Sequence, residues 1–205
     1  MKNEAPLNIL ERYLPHGTYE LVTHYIVKYK VHLTLTKERQ SVLGDYRQPD
    51  GLGGHRISIN SNLNKFSFLL TLLHEIAHLL TYLEFGPKAL SHGKEWKRVF
   101  GKILHQFIGK GFMPNDVEHA VLGSIHNPGA TNCTDEELVR VLKKYDKGRQ
   151  NYHFIEVLKQ GELFRTKDGR VFKRGEKIRK RYRCQDVSSK RIYLFSPVYE
   201  VEKVK

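Results

Sequence analysis

The chain has 205 residues, 40% of them hydrophobic, and a formal net charge of +13. That length buries a core without help from disulfides, and the composition is neither disordered nor collagen-like. Two cysteines, Cys133 and Cys184, exclude a disulfide-rich scaffold and a four-cysteine zinc ribbon.

The first residues, Met1-Lys2-Asn3-Glu4-Ala5-Pro6, are polar and lack a secretory apolar run, so a soluble, cytoplasmic protein is expected. Leu7 to Tyr29 carries apolar residues at spacings of three and four, which predicts helix. Pro15 and Gly17 split it into a short helix, a turn and a longer helix. Val31, Leu33 and Leu35 alternate with polar residues as a strand does, and Val42–Tyr46 and Ile57–Ile59 read as two more. Between those two lies Pro49-Asp50-Gly51-Leu52-Gly53-Gly54, a turn-rich loop that lacks the Lys-Ser/Thr of a phosphate-binding loop. A long apolar helix follows over about 66–85, capped by Asn62 or Asn64 and ended by Gly86-Pro87. It carries His74, Glu75 and His78 in its middle, which argues against a membrane span. Further helices are expected over about 92–108, over 115–124, and from Thr134-Asp135-Glu136-Glu137 to Lys144. After Gly148 short aromatic-rich runs alternate with turn signals, the pattern of a small antiparallel β unit. The expected organisation is an α+β core over 1–148 and a basic β-rich unit over 149–205.

Charge separates the two parts. Residues 1–140 hold 16 basic and 14 acidic side chains, whereas residues 141–205 hold 19 and 8. The peak lies in Arg170–Arg183, where Lys173, Arg174, Lys177, Arg179, Lys180, Arg181 and Arg183 interleave with Phe172, Ile178 and Tyr182. On a strand this spacing makes one basic face with aromatics beside it, which suits a nucleic-acid backbone and its stacked bases. DNA or another nucleic acid is therefore a candidate partner of the tail. An anionic membrane is not, because no basic amphipathic helix is present.

Chemistry concentrates in His74-Glu75-Ile76-Ala77-His78. On a helix two histidines four apart share one face and can ligate one Zn²⁺. The intervening glutamate can act as general base on a metal-bound water. With 11 histidines in the chain, chance produces this pattern roughly 0.04 times, so the motif carries weight. A catalytic zinc takes a third protein ligand and leaves one position open. Three residues compete for that place. Glu84 needs a chain reversal that Thr81, where a glycine would serve, does not supply. Glu95 lies on the next helix. His92, just before Gly93 at the start of that helix, can point back across the turn.

The run from Ile57-Ser58-Ile59-Asn60 through Thr71-Leu72-Leu73-His74-Glu75-Ile76-Ala77-His78 to His92-Gly93-Lys94-Glu95-Trp96 resembles the SprT-like metallopeptidases, over roughly residues 7–110. The resemblance implies a zincin-like core of helices and a small antiparallel sheet. It assigns His74, His78 and His92 to one zinc per chain and Glu75 as general base. It implies hydrolysis of protein substrates, with nucleic acid as the setting, and places the Ile57–Ile59 strand beside the cleft to pair with substrate. Many bacterial members end in a zinc ribbon with paired cysteines. Here Arg181-Tyr182-Arg183-Cys184 is followed by Gln185-Asp186-Val187, so the tail is expected to be a degenerate, metal-free version. Phe164, Phe172, Tyr182, Tyr193, Phe195 and Tyr199 would pack in place of the ribbon metal. A monomer is expected. The competing reading is a nucleic-acid-binding protein with a catalytically idle zinc core. No oxyanion-stabilising residue stands out; Tyr82, His119 and His126 are candidates.

Overall fold

The computed structural model describes residues 4–39, 42–50, 53–126, 135–148 and 151–204. The chain divides into two compact units, Met1–Tyr145 and Asp146–Lys205.

The first unit begins with a 3-10 turn, Leu7–Ile9, that runs into α1 (Leu10–Tyr13). Then come α2 (Tyr19–Lys28), β1 (His32–Thr36), β2 (Gly44–Arg47), β3 (Arg56–Asn60) and α3 (Lys65–Phe85). It closes with α4 (Lys94–His105), α5 (Asn115–His126) and α6 (Glu136–Lys143). The class is α+β and the core zincin-like, as expected. The small sheet is mixed, however, and not wholly antiparallel. Its order is β1-β3-β2, with β1 parallel to β3 and β2 antiparallel to it. The Ile57–Ile59 strand is thus the middle of the sheet. Both of its edges are occupied, and it has no free backbone groups to offer a substrate. The outer side of β1 is partly taken too, since Ala5 N–H donates to Leu33 C=O at 2.8 Å. β2 is the edge with no strand beyond it among the described residues.

α3 backs this sheet and organises the core. Asn64 Oδ1 accepts from Phe66 N–H (3.1 Å) and Ser67 N–H (2.9 Å), satisfying two of the free donors of the first turn. Gly86, at φ 75°, ends the helix in a conformation that side chains disfavour. Phe68, Leu69, Leu72, Leu73, Ile76 and Leu79 are all buried, each contributing about 1.5–3 kcal/mol of burial free energy. By length and composition α3 would cross a membrane, but 61% of its most apolar stretch is buried inside the protein. That is how a core helix behaves. α4 lays Trp96, Val99, Phe100, Ile103 and Leu104 against it, one apolar stripe at helical spacing. α6 begins at Asp135, whose carboxylate accepts from Glu137 N–H and Leu138 N–H. The cap is therefore one residue later than the Thr134 pattern implied, and Thr134 itself lies outside the described residues.

The second unit is a six-stranded antiparallel sheet in the order β4-β9-β5-β6-β7-β8. Its strands are β4 (Tyr152–Phe154), β5 (Leu163–Arg165), β6 (Val171–Ile178), β7 (Arg181–Asp186), β8 (Ile192–Phe195) and β9 (Glu200–Lys203). A separate core forms on one face from Ile155, Leu158, Phe164, Phe172, Tyr182, Cys184 and Val201, with Tyr193 and Phe195 against it. Tyr199 is more exposed but meets the Phe195 ring edge-on at 5.0 Å. β6 carries an irregularity between Arg174 and Lys177. Gly175 sits there because a Cβ would come within 2.2 Å of the Arg183 carbonyl oxygen.

Candidate metal centre

His74 and His78 stand one turn apart on α3, and the third imidazole arrives from the connection to α4. After Gly86 the chain turns at Leu90, where Gly93 N–H returns to Leu90 C=O at 2.9 Å. His92 occupies the left-handed region at φ 58°, which costs on the order of 1–3 kcal/mol and persists only where packing enforces it. The result is a triangle of Nε2 atoms: His74–His78 at 3.1 Å, His78–His92 at 3.1 Å and His92–His74 at 3.0 Å.

These three side chains could hold a metal ion. Tetrahedral bonds of about 2.0–2.1 Å separate neighbouring ligand atoms by roughly 3.3–3.4 Å, close to the spacing found. The donors are also in the required protonation state. Burial pushes His74 down to about 3, and the nearby His78 and His92 rings push it in the same direction. Burial, reinforced by His92, pushes His78 down to about 4. His92 is lowered by burial and by Lys97. Neutral imidazoles at neutral pH offer lone pairs without first releasing protons. Trp96 seats all three rings, with centroids 4.7 Å from His74, 5.3 Å from His78 and 4.7 Å from His92. Phe100 stacks behind it at 4.8 Å.

The two rival third ligands are elsewhere. α3 runs on through Thr81, whose hydroxyl donates to Ala77 C=O, and carries Glu84 away to an ion pair with Arg98. Glu95 lies in the first turn of α4 beside Lys94. Among the described residues no fourth His, Cys, Asp or Glu joins the triangle.

Glu75 is buried, with 6% of its surface exposed. Its carboxylate is directed at β2. A Cβ on Gly44 would lie 2.8 Å from Glu75 Oε1 and 2.7 Å from Thr71 Cγ2, so the close approach of helix and strand depends on that glycine. Burial raises the Glu75 pKa to about 8, and the Asp45 charge adds to this. A hydrogen bond from Tyr46 N–H and the Arg39 charge oppose it. A carboxyl group tuned near neutrality suits proton transfer in both directions. Arg39 also pins the β1–β2 connection, donating to Asn60 Oδ1 at 2.8 Å and Ser58 Oγ at 2.9 Å.

Sequence reasoning missed Gly44, Tyr46 and the role of Trp96. Nothing in a lone glycine or tyrosine reports which helix it faces. The signal for Trp96 was present, four residues after His92 and inside the quoted motif. His55, one of several scattered histidines, accepts or donates through Nδ1 to the Tyr46 hydroxyl at 2.9 Å and meets Tyr82 edge-on. Tyr82 thus packs on His55, whereas His119 is exposed on α5. The His126 side chain and Cys133 lie outside the described residues. Cys184 is fully buried, its thiol donating to Tyr182 C=O at 3.8 Å.

The seven tail cations do not converge. Lys173, Arg181 and Arg183 extend from the exposed face of the β6–β7 hairpin, and Arg179 and Lys180 occupy its turn. Arg174 lies over the Tyr182 ring at 4.2 Å, with Lys177 at 5.7 Å. Phe172 and Tyr182 pack in the core, as the aromatic packing expected of the tail requires, and so offer no stacking surface beside the exposed cations.

No curated protein and no solved structure matches this chain. The SprT-like family matches residues 18–119, from the residue before α2 into α5 and across every residue of the triangle, with the β unit beyond it. Through this core the chain belongs to the SprT-like family.

Proposed function

We propose that the protein is a zinc-dependent metallopeptidase that hydrolyses peptide bonds of protein substrates. The observation that carries this reading is the pairing of a three-imidazole site, with no fourth protein ligand among the described residues, with a buried glutamate on the same helix. A structural zinc normally takes four protein ligands, whereas a catalytic one keeps a position open. His74, His78 and His92 would hold the ion, which would supply a more acidic water and a polarised carbonyl. Glu75 takes the proton of the attacking water and delivers it to the leaving amine nitrogen. Glu75 keeps its aim because Gly44 leaves it room and Tyr46 N–H holds it. Substrate would pair in extended form with β2, the sheet edge that touches Glu75, and not with the enclosed β3.

The alternative, a nucleic-acid-binding protein with an idle metal core, has no use for a buried carboxyl group beside the triangle. The reading of a protease acting on nucleic acid rests on the cations concentrated in the tail and on the family resemblance. The test is Glu75→Gln, assayed on fluorescent casein alongside metal analysis. Wild type is expected to carry one zinc per chain and to cleave. The variant is expected to keep zinc and to lose on the order of 10²–10⁴ in rate. Equal cleavage by the variant refutes Glu75 as base, and a wild type without metal refutes the zinc reading.

A further inference from the structure

The exposed face of the second unit combines aliphatic side chains, cations and an open strand edge. Leu163, Lys173, Gln185 and Ile192 stand directly opposite one another across β5, β6, β7 and β8. Arg183 faces Leu194 in the next row, and Arg181 faces Ile178. The four aliphatic residues are far from buried: Leu163 38%, Ile178 43%, Ile192 46% and Leu194 56% exposed. A hollow of about 480 Å³ opens on this face between Lys173, Arg183, Gln185, Ile192 and the backbone at Gly161 and Gly175. β8 ends the sheet. Asp186 N–H donates to Arg191 C=O, and the alternation of an antiparallel ladder then turns the N–H and C=O of Ile192 and Leu194 toward the open side.

We propose that this edge and face take up an extended, acidic segment of a partner protein, carrying aliphatic side chains, as a strand added to β8. An exposed apolar edge strand is a template for another strand and in stable proteins is normally blunted or covered. Three classes of occupant compete, and charge and chemistry separate them. Residues 146–205 hold 17 basic and 8 acidic side chains, so a second copy of the same edge would bring like charges together. Nucleic acid satisfies the charge but not the rest. It brings no peptide groups to continue the ladder, and the aromatic rings on which its bases would stack are packed into the core on the opposite face. An acidic peptide that also carries aliphatic residues matches all three features. Its backbone continues the ladder, and every second side chain of the added strand lies on the one face that holds Ile192 and Leu194 together with Lys173 and Arg183. Aliphatic and acidic side chains that share this row therefore meet both. This inference stands independently of the peptidase reading.

The experiment uses the full chain carrying Glu75→Gln, so that no probe is consumed. A twelve-residue alternating peptide, three repeats of valine, threonine, glutamate, threonine, presents valine and glutamate on one face. It is compared with oligoglutamate and with single-stranded oligothymidine of equal length. The alternating peptide is expected to bind at least tenfold more tightly than oligoglutamate. Ile192→Asp and Leu194→Asp are each expected to weaken it at least tenfold, whereas Val157→Asp, exposed in the same unit, leaves it unchanged. Amide exchange at Ile192 and Leu194 in the chain with an unaltered edge is expected to slow when the peptide is bound. That measurement decides the matter even if the charge variants do not fold. Equal binding of oligoglutamate reduces the surface to charge and overturns the proposal. So does tighter oligothymidine binding that ignores Leu194→Asp, self-association through this edge, or unchanged exchange at both amides.

Discussion

The two units handle charged and ionisable side chains in opposite ways. The first gathers three imidazoles and a carboxyl group into its interior, where burial moves every one of their pKa values toward the neutral form. The second spreads its cations over an exposed face and keeps its aromatic rings inside. Burial gives chemistry because a desolvated group becomes a lone-pair donor or a base near neutrality. Exposure leaves full charges that are screened by salt and act on association more than on stability. The difference teaches that the net charge and the histidine centre of this chain are separate properties, on separate compact units.

The sharpest way to break the comparison is to remove one imidazole. His78→Ala is expected to reduce metal from one per chain to essentially none, read by elemental analysis, while neutralising Lys173 or Arg183 leaves it unchanged. Next is Phe172→Ala. Truncating a fully buried phenylalanine costs about 3–5 kcal/mol, so the β unit is expected to unfold at markedly lower urea. The chain has one tryptophan, Trp96, and it lies in the unit that holds the histidine triangle. Its emission transition and the metal content should therefore stay put while the far-ultraviolet signal loses β structure. A coincident shift of the tryptophan transition would show that the units unfold as one.

Gly44→Ala sharpens the comparison within the first unit. The added Cβ meets Glu75 and Thr71 under 3.0 Å, so a penalty of about 1–3 kcal/mol is expected from overpacking. Activity should fall further than metal content, because the group displaced is Glu75 and not a ligand. Retained full activity would separate Glu75 from its strand contact. The smallest effect is expected from Asn64→Ala. Loss of the cap costs about 0.5–2 kcal/mol, and the lost Nδ2 donation to Leu142 C=O at 3.0 Å also loosens α6. Urea unfolding with unchanged metal content checks it.

Much of the site was legible in the residues because its logic is local. Four-residue spacing on a helix fixes His74 and His78 on one face, and Asn64, Gly86 and the apolar run fix the helix itself. The third ligand was harder, since its position depends on a turn. The absence of a glycine at Thr81 argued correctly that Glu84 would be carried off, but only the left-handed backbone at His92 closes the triangle. Strand order was not legible. Ile57–Ile59 reads as a strand, yet nothing in those three residues says whether it is central or at an edge. That follows from pairing with β1 in parallel and β2 in antiparallel sense, contacts between segments distant in sequence. The tail shows the same limit. Alternation predicted a basic face with aromatics near it, and period two does put neighbours on opposite faces. Which face would be the core was settled by the other strands.

The sequence by itself determined the class of the chain, the helix that sets His74 and His78 on one face, the motif that makes His92 their candidate partner, and the division between a nearly neutral part and a basic one. Each rests on composition or on spacings shorter than two helical turns, or on a motif of 23 residues from His74 to Trp96. Tertiary structure alone decided that β2 is the edge facing Glu75, that Gly44 and Trp96 shape the centre, and that Leu163, Ile192 and Leu194 stand beside the cations on the exposed face of the tail. These depend on which distant segments pair and which face they bury, and hydrophobic burial is indifferent to direction until the partners are in place.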